Sequence, residues 1–165
     1  MDEDKNKNFL LLIFSLVESK YVSVAEINNL ASVASELEVM PEFWLTELAA
    51  CQTADEAQNI LREQMRDQHV IFNERYVSLL LGFSYLGVQE GKISLAEFEA
   101  ELVDVMDAYS VHNAYMNMTI EDFHHDFFSL SCLPDQSTAL GSYLIDAAEK
   151  SKIEFRAEIA PILSA

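Results

Sequence analysis

Three Ser/Thr-x-x-Glu boxes stand where a helical apolar pattern begins: Ser23 with Glu26, Thr53 with Glu56, and Ser94 with Glu97. In each, the hydroxyl can accept from a backbone N–H one turn into a helix while the glutamate reaches back to the N–H that opens it. Ahead of an apolar run at helical spacing such a box marks a helix start, and three of them constrain the fold more than any other feature. Other starts fall between them. Pro41 suits a first helical turn, Asn73 can cap a helix, Thr119 with Asp122 can cap another, and Asp135 can open a last one. Apolar residues follow these starts at three- and four-residue spacing, and no stretch alternates as a strand would. The expected helices cover about 9–18, 24–37, 41–50, 53–66, 73–89, 95–109, 119–130 and 135–160, with Pro161 stopping the last. The predicted fold is all-α, a single-domain array of about eight helices, with residues 1–8 as a flexible acidic and polar tail. The helix after Asn73, with YVSLLLGFSYLGV apolar nearly all round, should lie at the centre.

At 165 residues, half of them apolar, one domain can bury roughly 70% of the surface its unfolded chain exposes. The longest apolar run, FLLLIFSLV at 9–17, is nine residues where a membrane span needs about twenty. It follows MDEDKNKN, which is net negative where a signal peptide would be basic. Cys51 and Cys132 lack metal-type spacing and read as buried small hydrophobes rather than a disulfide. The expected compartment is the cytoplasm.

Charge separates the functional classes. Twenty-eight acids against ten Lys and Arg give a net charge of -18. Residues 93–149 hold eleven Asp and Glu and no Lys or Arg, and residues 21–61 hold seven acids and again no Lys or Arg. On the helix after Gly91, Glu97, Glu101 and Asp104 fall at i, i+4 and i+7, stacking three carboxylates on one face with no cation to pair them. Such a surface repels nucleic acid. It either keeps the protein in solution or steers it to a basic partner.

GVQEGKISLAEFEAEL, 87–102, resembles the second half of a calcium-binding loop. With Gly91 at loop position 6, Glu90 and Glu97 fall at positions 5 and 12, but positions 1 and 3 are Leu86 and Val88, which offer no oxygen. The stretch therefore reads as a helix joint: Gly91 a left-handed cap, Ser94 with Glu97 the next start. LLLIFSLVESKYVSVAEI (10–27) echoes LLLGFSYLGVQEGKISLAEF (79–98) across a two-residue gap. Either any two helical hairpins share this pattern, or the fold is two related halves. EDFHHDFF (121–128) gathers acids around His124 and His125, yet neighbours on a helix point about 100° apart, so the pair suits a surface salt bridge of His125 with Glu121 better than a metal site. REQMRDQH (62–69) resembles the Arg-x(4–6)-His signature of the all-helical HEPN ribonucleases, with Arg62 and His69 at the matching positions and Glu63 departing from the usual pattern. No glycine-rich phosphate loop, nucleophile elbow or cysteine cluster is present. The sequence implies no cofactor, no metal and no enzyme.

DAYSVHNAYMNMT, 107–119, packs tyrosines, methionines, a histidine and amides between two expected helices. Aromatic residues and Met are enriched at interface centres, while acidic rims govern encounter. The expected partner-binding set is Glu97, Glu101, Asp104, Asp107, Asp122 and Asp126 for steering, with Tyr109, Tyr115 and Met116 as the desolvated centre. In size, acidity and helix content the whole chain resembles bacterial toxin immunity proteins of the contact-dependent growth inhibition type. That resemblance implies a cytoplasmic inhibitor binding a basic toxin domain, a nuclease for RNA or DNA. Three alternatives share these features: a DNA-mimic anti-nuclease protein, an acidic secretion chaperone, and a HEPN-like helical ribonuclease.

Overall fold

The computed structural model describes residues 3–36, 43–109 and 135–164, with side chains for 6–36, 43–105 and 135–164. Everything described is helix or connection, and the all-α expectation holds. The helices are α1 (Glu3–Glu18), α2 (Val24–Glu36), α3 (Phe43–Ala50), α4 (Ala54–Asp67), α5 (Glu74–Gln89), α6 (Leu95–Tyr109) and α7 (Ala139–Glu154). A π turn (Phe155–Ile159) carries α7 into a last single turn, α8 (Ala160–Leu163). The helix expected at 119–130 lies outside the described residues.

The predicted starts form as the residues dictate. Ser94 Oγ accepts from the Glu97 N–H at 3.2 Å while Glu97 accepts from the Ser94 N–H at 3.0 Å. Ser23 and Glu26 make the same reciprocal pair at 3.3 and 2.7 Å. Thr53 caps the Glu56 N–H at 3.2 Å, but Glu56 reaches one residue further back, to the Gln52 N–H at 2.6 Å. Asn73 Oδ1 accepts from the Tyr76 N–H at 3.2 Å. Gly91, at φ 71°, closes α5 with the Lys92 N–H on the Gly87 carbonyl at 2.8 Å and its own N–H on Val88 at 3.1 Å. These two bonds satisfy carbonyls that the helix end would otherwise leave unpaired.

Three expectations need correcting. Residues 3–8 are helical, not a free tail: the Asn8 carbonyl and side chain accept from Arg75, whose guanidinium also pairs with Glu154 of α7. That tie across three helices offsets the entropy of ordering the first turns. Asp135 does not open α7; it forms a turn with Ser137, and Thr138 is the cap, its hydroxyl accepting from the Gly141 N–H at 2.9 Å. Pro161 does not stop the helix either. A proline's ring clashes with the carbonyl four residues back, and the wider π turn, in which the Ala160 N–H bonds Phe155 five residues back, opens the backbone just where that clash would fall.

Two helices form the centre. α5 is buried from Tyr76 to Gly87 apart from Ser78, as expected, and α1 is buried from Phe9 to Val17, the whole of the apolar run. α1 packs between α4 and α5, and α7 lies along the far side of α5. At that second contact Gly82 admits the α7 backbone: a Cβ there would stand 2.5 Å from the Ala147 carbonyl oxygen. Trp44 and Leu48 of α3 are buried.

The echo between the two hairpins extends into local geometry. Ser15 in α1 and Ser84 in α5 are both buried and bond the carbonyl four residues back, Leu11 at 2.8 Å and Leu80 at 2.9 Å. Both hairpins then turn through a left-handed residue, Lys20 at φ 57° and Gly91 at φ 71°, before their matching serine–glutamate starts. The two joints also touch. The Tyr21 hydroxyl donates to Glu90 at 3.0 Å, Lys92 lies 4.0 Å over the Tyr21 ring, and Lys20 pairs with Glu97 at 3.6 Å. Burial, with Glu90 alongside, pushes the Tyr21 hydroxyl up to about 12.

His69, which ends α4, also takes a left-handed conformation, at φ 54°. For a residue with a Cβ that conformation costs about 1–2 kcal/mol, part of which glycine's freedom in the unfolded chain would cancel. His69→Gly should therefore raise stability by about 0.5–1 kcal/mol in a urea titration. A destabilised variant would mean the exposed imidazole, 3.1 Å from the Asp67 carbonyl, holds the turn instead.

Candidate functional site

A cleft of about 400 Å³ opens between the end of α1, α4, α5 and α6. Glu18, Ser19 and Lys20 line it from α1 and its joint, Gln58 from α4, Tyr76 and Leu80 from α5, and Glu97, Glu101, Asp104 and Val105 from α6. α6 reaches this position because Phe98, Leu102 and Val105 bury its inner face. Its outer face shows Glu99, Asp104 and Val103, the last 39% exposed among the carboxylates.

The expected carboxylate stack is only partly a solvated face. Glu97 is half-exposed and paired: Ser94 donates to it from backbone and hydroxyl, and Lys20 approaches from the other hairpin. Those bonds hold its carboxyl below the usual range, the Ser94 backbone contributing most. The absence of a nearby cation, inferred along the helix, is corrected by the fold, because Lys20 is far away in sequence only. Asp104 is exposed at the cleft. Glu101 turns inward. It is part-buried at the cleft wall, and burial, reinforced by Glu18 and Asp104 and opposed by Ser84 and Lys20, raises its carboxyl to about 7. As a steering charge at the rim, Glu101 is therefore withdrawn. The signal was in the sequence: Glu101 stands three residues after Phe98 and four before Val105, on the margin of the buried stripe. Asp107 and Tyr109 lie on the last turn of α6 with side chains outside the description. Tyr115, Met116, Asp122 and Asp126 lie wholly outside the described residues, as do His124, His125 and Cys132.

Sequence reasoning missed Glu18, Lys20 and Tyr76, which no local pattern joins to α6. The Tyr76 hydroxyl donates to Glu18 at 2.6 Å, and Arg62 donates to the other carboxylate oxygen at 3.1 Å. Arg62 also lies 5.7 Å over the Phe14 ring. It is thus bound by a structural carboxylate, whereas His69 sits exposed on the left-handed turn with its ring toward the Asp67 carbonyl. Arg62 lines a groove with Phe14, Met65, Phe72 and Tyr76 in which His69 takes no part.

The calcium-like loop has its oxygens committed. Glu90 accepts from Tyr21 and pairs with Lys92 at 3.1 Å, and Glu97 serves Ser94 and Lys20. Among the described residues no group of three His, Cys, Asp or Glu is placed to hold a metal. Cys51 is buried, its thiol 3.1 Å from Asn28 Oδ1 and pushed up by burial, as expected of a small core residue rather than a nucleophile. No described helix is long and apolar enough to cross a membrane. Compared with protein-family models, curated proteins and solved structures, the chain shows no match.

Proposed function

We propose that this chain is an immunity protein that binds and neutralises a basic toxin domain, a nuclease, through the outer face of α6. One observation carries the reading. α6 presents Glu99 and Asp104 around the exposed Val103, in a stretch of 57 residues, 93–149, that has eleven acids and no Lys or Arg. An apolar spot ringed by one sign of charge is the pattern of a docking centre with a steering rim. Acidic charge in this density excludes nucleic acid as the direct ligand and favours a protein that itself binds nucleic acid. Inhibition follows if the docked face covers the toxin's active centre or its substrate-binding surface. The cytoplasm is the compartment this role requires.

The test is binding kinetics with the purified product of the neighbouring gene, at two salt concentrations. Glu99→Lys with Asp104→Lys should slow association roughly tenfold at low salt and flatten its salt dependence, since rim charges act on encounter. Val103→Asp should leave association nearly unchanged and speed dissociation. Wild-type rates for both variants would remove this face from the interaction, and cleavage of tRNA by the free protein, abolished by Arg62→Ala, would replace the reading with the ribonuclease one.

A further inference from the structure

We propose that this chain pairs with a second copy of itself through the joint between α4 and α5, each copy setting Ile71 into the groove that Phe14, Met65 and Phe72 line on the other. The proposal concerns the free protein, and it stands or falls separately from the toxin reading.

The joint carries an apolar knob that the fold itself does not use. Ile71 is 77% exposed and the adjacent Phe72 38%, the one pair of chain neighbours among the large exposed hydrophobics of the described residues. Single exposed apolar residues are ordinary on any surface; an apolar pair bordering a groove marks a contact. Nor does Ile71 stand on a slack loop. On one side the Val70 N–H bonds the Met65 carbonyl at 2.8 Å, and on the other Asn73 caps the Tyr76 N–H at 3.2 Å. The Phe72 ring packs edge-on to Tyr76 at 4.6 Å and lies 5.7 Å from Phe14. A knob held in place in the free chain loses little entropy on docking.

Beside the knob is a hole. The groove holds about 400 Å³, with the buried Phe14, Met65 and Tyr76 as its floor and Val70, Phe72 and two arginines at its rim. Ile71 stands next to this space and does not line it. A two-fold contact needs one surface to offer both parts, because the same patch serves both copies. With the axis running between Ile71 and the groove, each isoleucine enters the other copy's groove. A second copy thus covers knob and hole at once.

Charge selects the same place. Two chains of net charge -18 repel each other, so a self-contact has to lie where the signs balance. Residues 62–75 carry Arg62, Arg66 and Arg75 against Glu63, Asp67 and Glu74; that stretch is neutral, and the rest of the chain holds the entire net charge. Arg66 and Asp67 are both exposed and approach no closer than 3.9 Å. So loose a surface pair contributes little within one chain and leaves both groups able to bind elsewhere. In the pair of chains, Arg66 of each copy meets Asp67 of the other.

Sedimentation equilibrium on the whole chain tests this, from about 1 µM to about 1 mM, the span of weak and transient contacts. Mean mass should rise from one chain to two, with a midpoint at about 100 µM or below. Ile71→Asp should weaken association roughly tenfold or more, as loss of an interface anchor does, and should leave the melting temperature unchanged because Ile71 is exposed in the single chain. Arg66→Asp and Asp67→Arg should each weaken association, and the double swap should restore it. Val103→Asp, at the exposed apolar spot on α6, should associate as the wild type does. The proposal is overturned if the wild type stays a single chain throughout, if Ile71→Asp associates normally, if Val103→Asp weakens association as much, or if the double swap is no better than either single change. Should Ile71→Asp alter the melting temperature, methyl NMR on the wild type decides: concentration-dependent shifts at Ile71 and Met65 with Ile153 unmoved support the pairing, and shifts centred elsewhere end it.

Discussion

Gly82→Val should cost this protein about 3 kcal/mol or more, the upper end of what overpacking does to a well-packed core. The reason is that the obstacle is backbone. A Cβ at position 82 would stand 2.5 Å from the Ala147 carbonyl oxygen and 2.7 Å from its carbon, besides striking the Ser151 hydroxyl. Side chains can rotate away from an intruder; a helical carbonyl cannot. Relief requires α5 and α7 to separate, and that disturbs the packing of Leu140, Leu144 and Ala148 on the central helix. Alanine at the same site brings better helix propensity, worth about 1 kcal/mol over glycine, so Gly82→Ala should be destabilising by a smaller margin. Adding Ser151→Ala should recover only part of that loss, since the Ala147 backbone stays in place. Urea denaturation reads all three. A valine variant as stable as the wild type would show that α5 and α7 do not approach as closely as described.

Glu101→Leu should stabilise the protein, and only at neutral to alkaline pH. A carboxyl whose folded value is raised to about 7 binds its proton more tightly folded than unfolded. The wild-type chain is therefore favoured at low pH, and this contribution drains away as pH rises from about 4.5 through 7. Above pH 7 the loss is complete, on the order of 2–3 kcal/mol once the partial exposure of the cleft to water is allowed for. Leucine, the residue at the matching position 30, has no proton to lose. The variant should equal the wild type within about 1 kcal/mol at pH 4.5 and exceed it by about 2 kcal/mol at pH 8. Glu26, Glu97 and Asp135 act in the opposite sense: their carboxyls lie low because Ser23, Ser94 and Ser137 bond the ionised forms, and their contribution is lost as pH falls. Both proteins share those three groups, so the difference between the two stability curves isolates Glu101. A difference that does not vary with pH would place the carboxyl in water.

Gly82 and Glu101 also mark how far the residues could be read before the fold was known. The helix starts at Ser23, Thr53, Asn73 and Ser94 and the left-handed close at Gly91 were all legible, because every bond in them spans five residues or fewer. Neighbouring residues determine such geometry whatever the rest of the chain does. The central burial of α5 was legible too, since a helix apolar on all sides has nowhere else to go. The first turns of α1 were not: polar residues 3–8 looked like a tail, and Arg75, far along the chain, ties Asn8 into the fold. Nor was the passage of the chain through Pro161, where the π turn supplies room that a regular helix lacks.

The candidate site divides in the same way. Periodicity placed Glu97, Glu101 and Asp104 on one side of one helix, and that much the sequence determined by itself. Tertiary structure alone decided that Lys20 would cross from the other hairpin to pair with Glu97, that Glu18 and Tyr76 would complete the cleft, and that Glu101 would be partly withdrawn from water. A helix presents its charges at fixed angles, but the field each one feels depends on which surfaces close over it. Coulombic and desolvation effects act through space rather than along the chain, so three carboxylates alike in sequence become a paired charge, a part-buried acid and an exposed one.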